Sequence, residues 1–162
     1  MELEDITVVV TGGASGLESA TCRRLVNQSA NAAILDLDNE TAKALEKALG
    51  RKACFCRVDV GNENSVKHAS QKVHERFRGI SALVNCAGIG GRVKTADVTD
   101  GDPVAFNRQT RINLLGVYHV ILWVVSMMKK QPQSRRRKGT DNKRVVRCSV
   151  RRAGGPWCIC LG

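Results

Sequence analysis

Two glycines and one acidic residue near the N-terminus have a spacing that could bind phosphate and sugar groups. Gly12 and Gly16 follow a β-branched run at residues 6–10, and Asp36 lies twenty-four positions after Gly12. A glycine turn between a strand and a helix lets the backbone approach a phosphate, which the helix N-terminus attracts. An acidic residue at about this distance is typical of a dinucleotide site, where it accepts the ribose hydroxyls. The glycines alone also fit a tight turn that binds no ligand.

The charges around this turn predict which dinucleotide it would bind. The carboxylate of Asp36 would repel the additional phosphate of NADP, and residues 11–17 contain no Lys or Arg that could bind that phosphate. NAD is therefore the expected cofactor. Glu18 is a second acid, placed in the first turn of the following helix, where its charge would oppose a pyrophosphate.

Strand and helix patterns alternate along the first 128 residues. The strands and helices that they predict must position the glycine turn and the acidic residues. The alternation predicts an α/β, Rossmann-type fold, in which a parallel sheet has helices on both faces and is truncated after about four strands. The inner face of the first helix is expected at residues 17, 20, 25 and 26, and that of the third at Val66, Ala69 and Val73. The predicted strands are 6–10, 31–35, 53–58 and 82–84, and the predicted helices are 17–26, 39–49, 62–77, 103–111 and 113–128.

Four motifs, in this order, resemble those of the short-chain dehydrogenase/reductase family. Thr11-Gly12-x-x-x-Gly16 is similar to its cofactor turn, and Asn85-Cys86-Ala87-Gly88 is similar to its Asn-Asn-Ala-Gly motif. Asp59-Val60 ends the third strand, where the family contacts adenine, and Asn113 matches the catalytic-site asparagine that opens a helix. The resemblance covers roughly residues 5–130. The residues of these motifs are most similar to those of the 3-hydroxyacyl-CoA dehydrogenase subgroup.

The resemblance implies an NAD-dependent oxidoreductase acting on a secondary alcohol or ketone, such as a 3-hydroxyacyl-CoA. It implies that Asn113 orders the water of a proton relay, and that subunits pair through the Asn113 helix and a later helix, which is not recognisable here. The implied cofactor-binding residues are Gly12, Ser15, Gly16 and Leu17 around the pyrophosphate, Asp36 at the adenosine ribose, Asp59 and Val60 at the adenine, and Asn85, Cys86, Ala87 and Gly88 on the nicotinamide side.

The sequence departs from the family pattern at residues that carry chemistry. Glu18 stands where the family has a third glycine, which permits close packing of the helix against the cofactor. The family's acid/base set is Ser–Tyr–Lys, but the 162 residues contain no Tyr-x-x-x-Lys. The single tyrosine, Tyr118, is followed four positions later by Leu122, so we expect it to pack. The chain as written is therefore expected to be inactive or impaired.

The composition changes at residue 129. Residues 129–162 contain eleven Lys or Arg and one acid, so they hold ten of the eleven net positive charges. We therefore predict an NAD-binding domain at 1–128 and a basic tail, disordered or out of frame, at 129–162. Reading the codons one nucleotide forward permits Ile-Ile-Asn-x-Ser-Ser-Val-Ala and then Gly-Val-Tyr-Ala-Ser, which resemble the family's missing strand and tyrosine. A genuine basic tail is the alternative.

A second class of function stays open because of this tail. A non-catalytic Rossmann scaffold could bind nucleic acid or another anion through phosphate contacts of the tail. Trp157 is the only aromatic residue in the tail, and no nucleic-acid motif is recognisable. A small-molecule substrate is therefore the expected partner, rather than nucleic acid.

The cysteines and the hydropathy pattern indicate in which cellular compartment the protein is expected. Seven cysteines without metal-type spacing predict neither a disulfide framework nor a metal site, and Cys54-x-Cys56 is expected to pack within a strand. The apolar run at 114–128 is shorter than the ~18 residues of a membrane span, so no span is expected. The residues before the first strand contain no basic leader, which favours the cytoplasm, with the mitochondrial matrix as the alternative.

Overall fold

The computed structural model describes residues 3, 4, 6–90 and 102–130, and the backbone of 146–152 and 155–159. Strands and helices alternate through most of this chain, as the sequence predicts. The elements are β1 Thr7–Thr11, α1 Gly16–Asn27, β2 Asn31–Asp36, α2 Asn39–Leu49, a 3₁₀ turn Gly50–Lys52, β3 Ala53–Arg57, α3 Glu63–Phe77, β4 Ala82–Asn85, α4 Pro103–Thr110, a π turn Arg111–Leu115, α5 Gly116–Lys129, β5 Val146–Arg152 and β6 Gly155–Ile159.

The strands form one sheet in the order β3-β2-β1-β4-β5-β6. β1 is parallel to both of its neighbours, so Val9 lies opposite Ala33 of β2 and Leu83 of β4. β5 continues the parallel set beside β4, and β6 pairs antiparallel with β5. The strand order reverses between β1 and β4, and the crevice at their carboxyl ends is where open α/β sheets bind ligands.

The predicted α/β fold is confirmed, whereas the predicted end of the sheet after about four strands is corrected. β5 and β6 lie in the segment that was assigned to a basic tail. Its arginines interrupt the apolar run typical of a buried parallel strand, which is why the sequence did not indicate β5. Val146, Cys148 and Val150 nevertheless recur at every second position, which is the period of a strand.

Alternate residues of β1 enter two hydrophobic cores, one on each face of the sheet. Val8 and Val10 pack in a core with residues of α1 and α2, such as Cys22 and Leu45. Val9 packs in the other core with residues of α3 and α5. The predicted inner face of α3 is confirmed, because Val66, Ala69 and Val73 are all buried there.

The inner face of α1 differs from the predicted one. Cys22 is its buried residue, and Leu25 and Val26 pack only at the edge of the core. Leu17 is 53% exposed, because the first turn of α1 lies at the open carboxyl edge of the sheet and not over it. Burial raises the pKa of the Cys22 thiol to about 12, so this thiol stays protonated within the core.

Helices α4 and α5 form one continuous helix, Pro103–Lys129, through the π turn between them. Asn113 therefore lies inside a helix, which corrects the prediction that it opens one. The helix begins where Asp102 Oδ1 accepts a hydrogen bond from the amide of Ala105, with Pro103 in the first turn.

In length and composition this helix could cross a membrane, a test that core helices of water-soluble proteins also pass. One side of it is buried, and Val120, Val124 and Met127 pack in the core with α3. Core packing therefore accounts for the apolar residues on that side, whereas Leu114, Leu115 and Leu122 are exposed.

The two cysteines of β3 pack as the sequence predicts, because Cys54 and Cys56 are both buried in the core shared with α3 and α5. A hydrogen bond from the Cys56 thiol lowers the pKa of Cys54 to about 7, and the same bond, together with burial, raises the pKa of Cys56. The described residues contain no cluster of three His, Cys, Asp or Glu side chains that could hold a metal ion.

Candidate functional site

A cleft of about 830 Å³ opens at the carboxyl ends of β1 to β4. Its volume lies within the roughly 300–1,000 Å³ typical of small-molecule sites. The fold brings together the glycine turn, the end of β2, the residues after β3 and the loop after β4, although they lie up to 76 positions apart. The predicted cofactor residues that line the cleft are Gly12, Ser15, Leu17, Asp36, Asp59, Val60, Cys86, Ala87 and Gly88.

Gly12 joins two walls of this cleft. Its φ of +69° lies in the left-handed region, which favours glycine. A Cβ at this position would lie 3.2 Å from both the Cα and the backbone nitrogen of Ala87. The turn after β1 therefore lies so close to the loop after β4 that a side chain at residue 12 would force the backbone at Ala87 to move.

Thr11 and Asn85 form the base of the cleft. The Thr11 hydroxyl donates to Asn85 Oδ1 at 2.7 Å, and its oxygen accepts from the amides of Cys86 at 2.9 Å and Ala87 at 3.0 Å. Asn85 also donates to the carbonyl of Val117 at 3.4 Å, and both side chains are buried. Asn85 thus lies behind the wall and shapes the loop, and Thr11 is an anchor that the sequence prediction did not assign to the site.

Asp36 connects the glycine turn with the end of β2. Its Oδ2 accepts from the amide of Ala14 at 2.9 Å, and its Oδ1 accepts from the amide of Asp38 at 3.0 Å. Each carboxylate oxygen can accept about two hydrogen bonds, so each retains one position for a ligand. The carboxylate is therefore fixed in place and still able to accept from hydroxyl groups.

The N-terminus of α1 combines a feature that favours an anion with one that opposes it. Ser15 is the N-cap and makes no side-chain capping hydrogen bond, so its side chain satisfies none of the first-turn amides. Glu18 also lines the cleft, and its Oε2 would lie 3.1 Å from a Cβ built on Gly16. The carboxylate thus folds back over the turn and partly neutralises the positive end of the helix dipole.

Asn113 fixes the loop at the other end of the cleft. Its Oδ1 accepts from the amide of Ile89, and its Nδ2 donates to the carbonyl of Ile89, each at 2.9 Å. Asn113 lies within the π turn, and such turns occur frequently at functional sites. The side chain therefore links the central helix to the loop that follows β4.

Tyr118 does not pack as the sequence predicts. Its side chain is 60% exposed, because the outer face of α5 turns away from the sheet. The neighbouring His119 points inward, and its Nδ1 lies 3.0 Å from the carbonyl oxygen of Val60. Tyr118 is not among the residues that line the cleft.

Two cationic residues of the cleft, Arg108 and Arg111, were missed by the sequence prediction. Arg111 forms an ion pair with Asp59 at 3.2 Å. The sequence of their segment predicts a short helix after a polar loop. It contains no local signal that the two arginines lie near the end of the third strand. Their position follows from the continuous helix, which crosses the carboxyl edge of the sheet.

The fold and the cleft define a Rossmann-type protein with a small-molecule site at the switch point of a parallel sheet. Residues 6–137 match the family model described as short chain dehydrogenase. The chain belongs to the short-chain dehydrogenase family.

Known relatives agree with this membership. The chain is 38% identical over 129 residues to 3-hydroxyacyl-CoA dehydrogenase type-2 of Homo sapiens, which covers 78% of this chain and 49% of the relative. It is 34% identical over 117 residues to sex determination protein tasselseed-2 of Zea mays, with 70% and 35% covered. The chain thus spans about half the length, or less, of these curated relatives.

A solved structure with the same fold carries a nicotinamide cofactor. The 3-ketoacyl-(acyl-carrier-protein) reductase from Brucella melitensis, complexed with NADH, superposes with a TM-score of 0.73 at 27% identity. The match covers 79% of this chain and 52% of the reductase.

Proposed function

We propose that this chain forms the NAD-binding part of an oxidoreductase acting on a secondary alcohol or ketone, such as a 3-hydroxyacyl-CoA. The observation that carries the proposal is the single cleft in which the glycine turn, Asp36, Asp59 and the loop at 86–88 meet. The names of the relatives support the substrate class, and the NADH complex of a structural neighbour supports the cofactor.

The residues of the cleft fit a dinucleotide. Gly12 lines the cleft without a side chain, and Ser15 at the N-terminus of α1 lines it as well, so a pyrophosphate would bind beside these two residues. In this proposal Gly12, Ser15, Gly16 and Leu17 hold the pyrophosphate and Asp36 the adenosine ribose. The loop at 86–88 holds the nicotinamide-side ribose, and Asp59 and Val60 contact the adenine. The bound cofactor would supply the hydride acceptor or donor.

The substrate end would depend on Asn113. Because both polar groups of its side chain bind Ile89, Asn113 holds the loop beside the nicotinamide and would order a water there. The residues that would exchange a proton with the alcohol are missing from the 162 residues, since no Tyr-x-x-x-Lys is present. We therefore propose a chain that binds cofactor and is impaired in turnover as written.

Titration with NADH, followed by its fluorescence and by calorimetry, tests the cofactor part of this proposal. We expect saturable binding that Gly12→Ala weakens strongly, because a methyl group would crowd Ala87 and the pyrophosphate position. Gly50→Ala is the matched control, since Gly50 has a φ of +70° and nothing within 4 Å of its Cβ position. Absence of NADH binding by the unaltered chain would contradict the proposal.

The charge of residues 129–162 supports a second candidate function, the non-catalytic scaffold with an anion-binding tail. Binding of RNA through eleven cationic side chains would weaken steeply with added salt. Steep salt dependence that is lost when residues 129–162 are deleted, in a chain that binds no NADH, would favour this candidate over the first.

A further inference from the structure

Arg111 is bound to the wall of the cleft where adenine is proposed to lie. Its Nη2 lies 3.2 Å from Asp59 Oδ2, and its Nε donates to the carbonyl of Gly61 at 3.2 Å. The amide of Gly61 in turn donates to Asp59 Oδ1 at 2.9 Å. Each oxygen of the Asp59 carboxylate therefore has a donor that fixes its direction.

The helix and the loop at 59–61 are in close contact around this ion pair. A Cβ on Gly61 would lie 2.8 Å from Arg111 Nε, so a side chain at residue 61 would displace the Arg111 side chain from this position. Below it, a Cβ on Gly116 would lie 2.8 Å from Val60 Cγ2. His119 Nδ1 lies 3.0 Å from the carbonyl oxygen of Val60. The guanidinium thus rests on a loop that is itself held in place.

We propose that Arg111 is a positioning residue that sets the base selectivity of the cleft through Asp59. An ionised carboxylate only accepts hydrogen bonds and has about four acceptor positions, of which Gly61 and Arg111 occupy two. The Asp59 side chain is 35% exposed, so the remaining positions are open to the cleft. They would accept from the exocyclic amino group of a 6-amino purine and repel the carbonyl oxygen of a 6-oxo purine.

This inference rests on the proposed function, since it assumes a dinucleotide whose base lies against Asp59. It adds a residue from another element, because Arg111 comes from the helix and not from the loop after β3 that carries Asp59. The Arg111 side chain is 55% exposed, and exposed ion pairs contribute little to stability. Its replacement is therefore expected to alter base selectivity without unfolding the chain.

The experiment compares the Kd of NAD with that of nicotinamide hypoxanthine dinucleotide, which has a 6-oxo group in place of the 6-amino group. For the unaltered chain we expect NAD to bind about tenfold more tightly, the factor that one good charge-assisted hydrogen bond supplies. Arg111→Met should reduce this ratio to about threefold or less, because Asp59 loses the group that directs it. Arg111→Lys should retain part of the selectivity.

Arg24→Met is the control, because Arg24 is exposed in the last turn of α1 and is not among the residues that line the cleft. It should leave the ratio of the two Kd values unchanged. Thermal denaturation of all variants checks that folding is retained.

Each contrary outcome has a distinct meaning. If Arg111→Met leaves the ratio unchanged or raises it, Arg111 does not position Asp59, or competes with the base for it, and the inference is overturned. A ratio near one in the unaltered chain also overturns it, while the proposed NAD site survives as long as NAD binds. If neither dinucleotide binds, the proposed function fails, and the inference fails with it.

Discussion

The side-chain hydroxyl of Thr11, on β1, forms hydrogen bonds with the buried side-chain amide of Asn85, on β4, and with the loop that follows β4. The hydroxyl donates to Asn85 at 2.7 Å and accepts from the amides of Cys86 and Ala87. The hydroxyl therefore fixes the distance between two strands and the direction of one wall of the cleft. This arrangement explains why a polar residue is fully buried at the end of β1.

Thr11→Val should destabilise the chain by about 2–3 kcal/mol. Valine has nearly the same shape, but it would leave the buried Asn85 oxygen and two amides without their partner. Urea unfolding, followed by circular dichroism, measures the change. Thr21→Val is the control, because the Thr21 hydroxyl donates to the Leu17 carbonyl on the exposed side of α1 and to no other group in the described part of the chain. A loss no larger than that of the control would refute the role assigned to Thr11.

Cofactor choice should favour NAD over NADP by at least about tenfold. The Asp36 carboxylate is held by the amides of Ala14 and Asp38, so it cannot swing away from an additional phosphate on the ribose. Repulsion of a few kcal/mol is expected between charges that are only partly screened. Competitive titration measures the ratio, and Asp36→Asn should narrow it. Equal or tighter binding of NADP by the unaltered chain would remove the basis for this assignment.

Glu18→Gly should strengthen NAD binding by about 1–2 kcal/mol, which is on the order of tenfold. The Glu18 carboxylate lines the cleft and folds over Gly16, where it would face the pyrophosphate. Calorimetry measures the change, and Glu18→Gln separates the two causes, since glutamine removes the charge and keeps the bulk. Unchanged or weaker binding by Glu18→Gly would show that this carboxylate lies away from the phosphates.

Much of the fold could be predicted because its signals are local. The β-branched run of β1 indicates a strand that is buried on both faces, and the helical spacing of Val66, Ala69 and Val73 indicates a helix and its inner face. The parallel sheet explains the position of the cleft, because parallel strands bring their carboxyl ends to one edge of the sheet. Gly12, Asp36 and Asp59 therefore meet as their motifs imply.

What could not be predicted depends on contacts between distant segments. The helix continues through Asn113, and Gly116 packs closely on Val60 in the next turn, a contact that no sequence period records. The ion pair of Arg111 with Asp59 joins residues fifty-two positions apart. Tyr118 lies on an apolar helix and still faces outward, since only one side of α5 reaches the sheet. Tertiary geometry, and not composition, decided each of these cases.

Asp38, the N-cap of α2, should make the free energy of unfolding depend on pH in the acidic range. Hydrogen bonds from the Thr41 side chain and the amides of Thr41 and Glu40 lower the pKa of Asp38 below its ordinary value near 3.8. A carboxylate whose pKa is lower in the folded state than in the unfolded state stabilises the fold fully at pH values above its unfolded-state pKa. That stabilisation is lost as the pH falls through the folded-state pKa.

Urea midpoints at pH 6, 4 and 3 measure this contribution of Asp38. The difference between the unaltered chain and Asp38→Ala should be constant near neutral pH and shrink below about pH 3.8. Asp38→Asn keeps a capping oxygen without a charge, so its difference from alanine should not vary with pH in this range. A difference between the unaltered chain and Asp38→Ala that stays constant down to pH 3 would contradict the role of the charge.

Finally, the 162-residue chain should show no hydride transfer at the rate of the family. A bound cofactor can accept a hydride, but the alcohol proton still needs an acceptor. Tyr118 is exposed on the outer face of α5 and does not line the cleft. Lys129 lies eleven residues further along the helix, or about 16 Å at 1.5 Å per residue, too far to act on that hydroxyl. The assay follows NADH absorbance with acetoacetyl-CoA, with Tyr118→Phe as the control and with a longer chain read one nucleotide forward after codon 128 as the comparison. We expect turnover only from the longer chain, and clear turnover by the 162-residue chain that Tyr118→Phe abolishes would disprove this prediction.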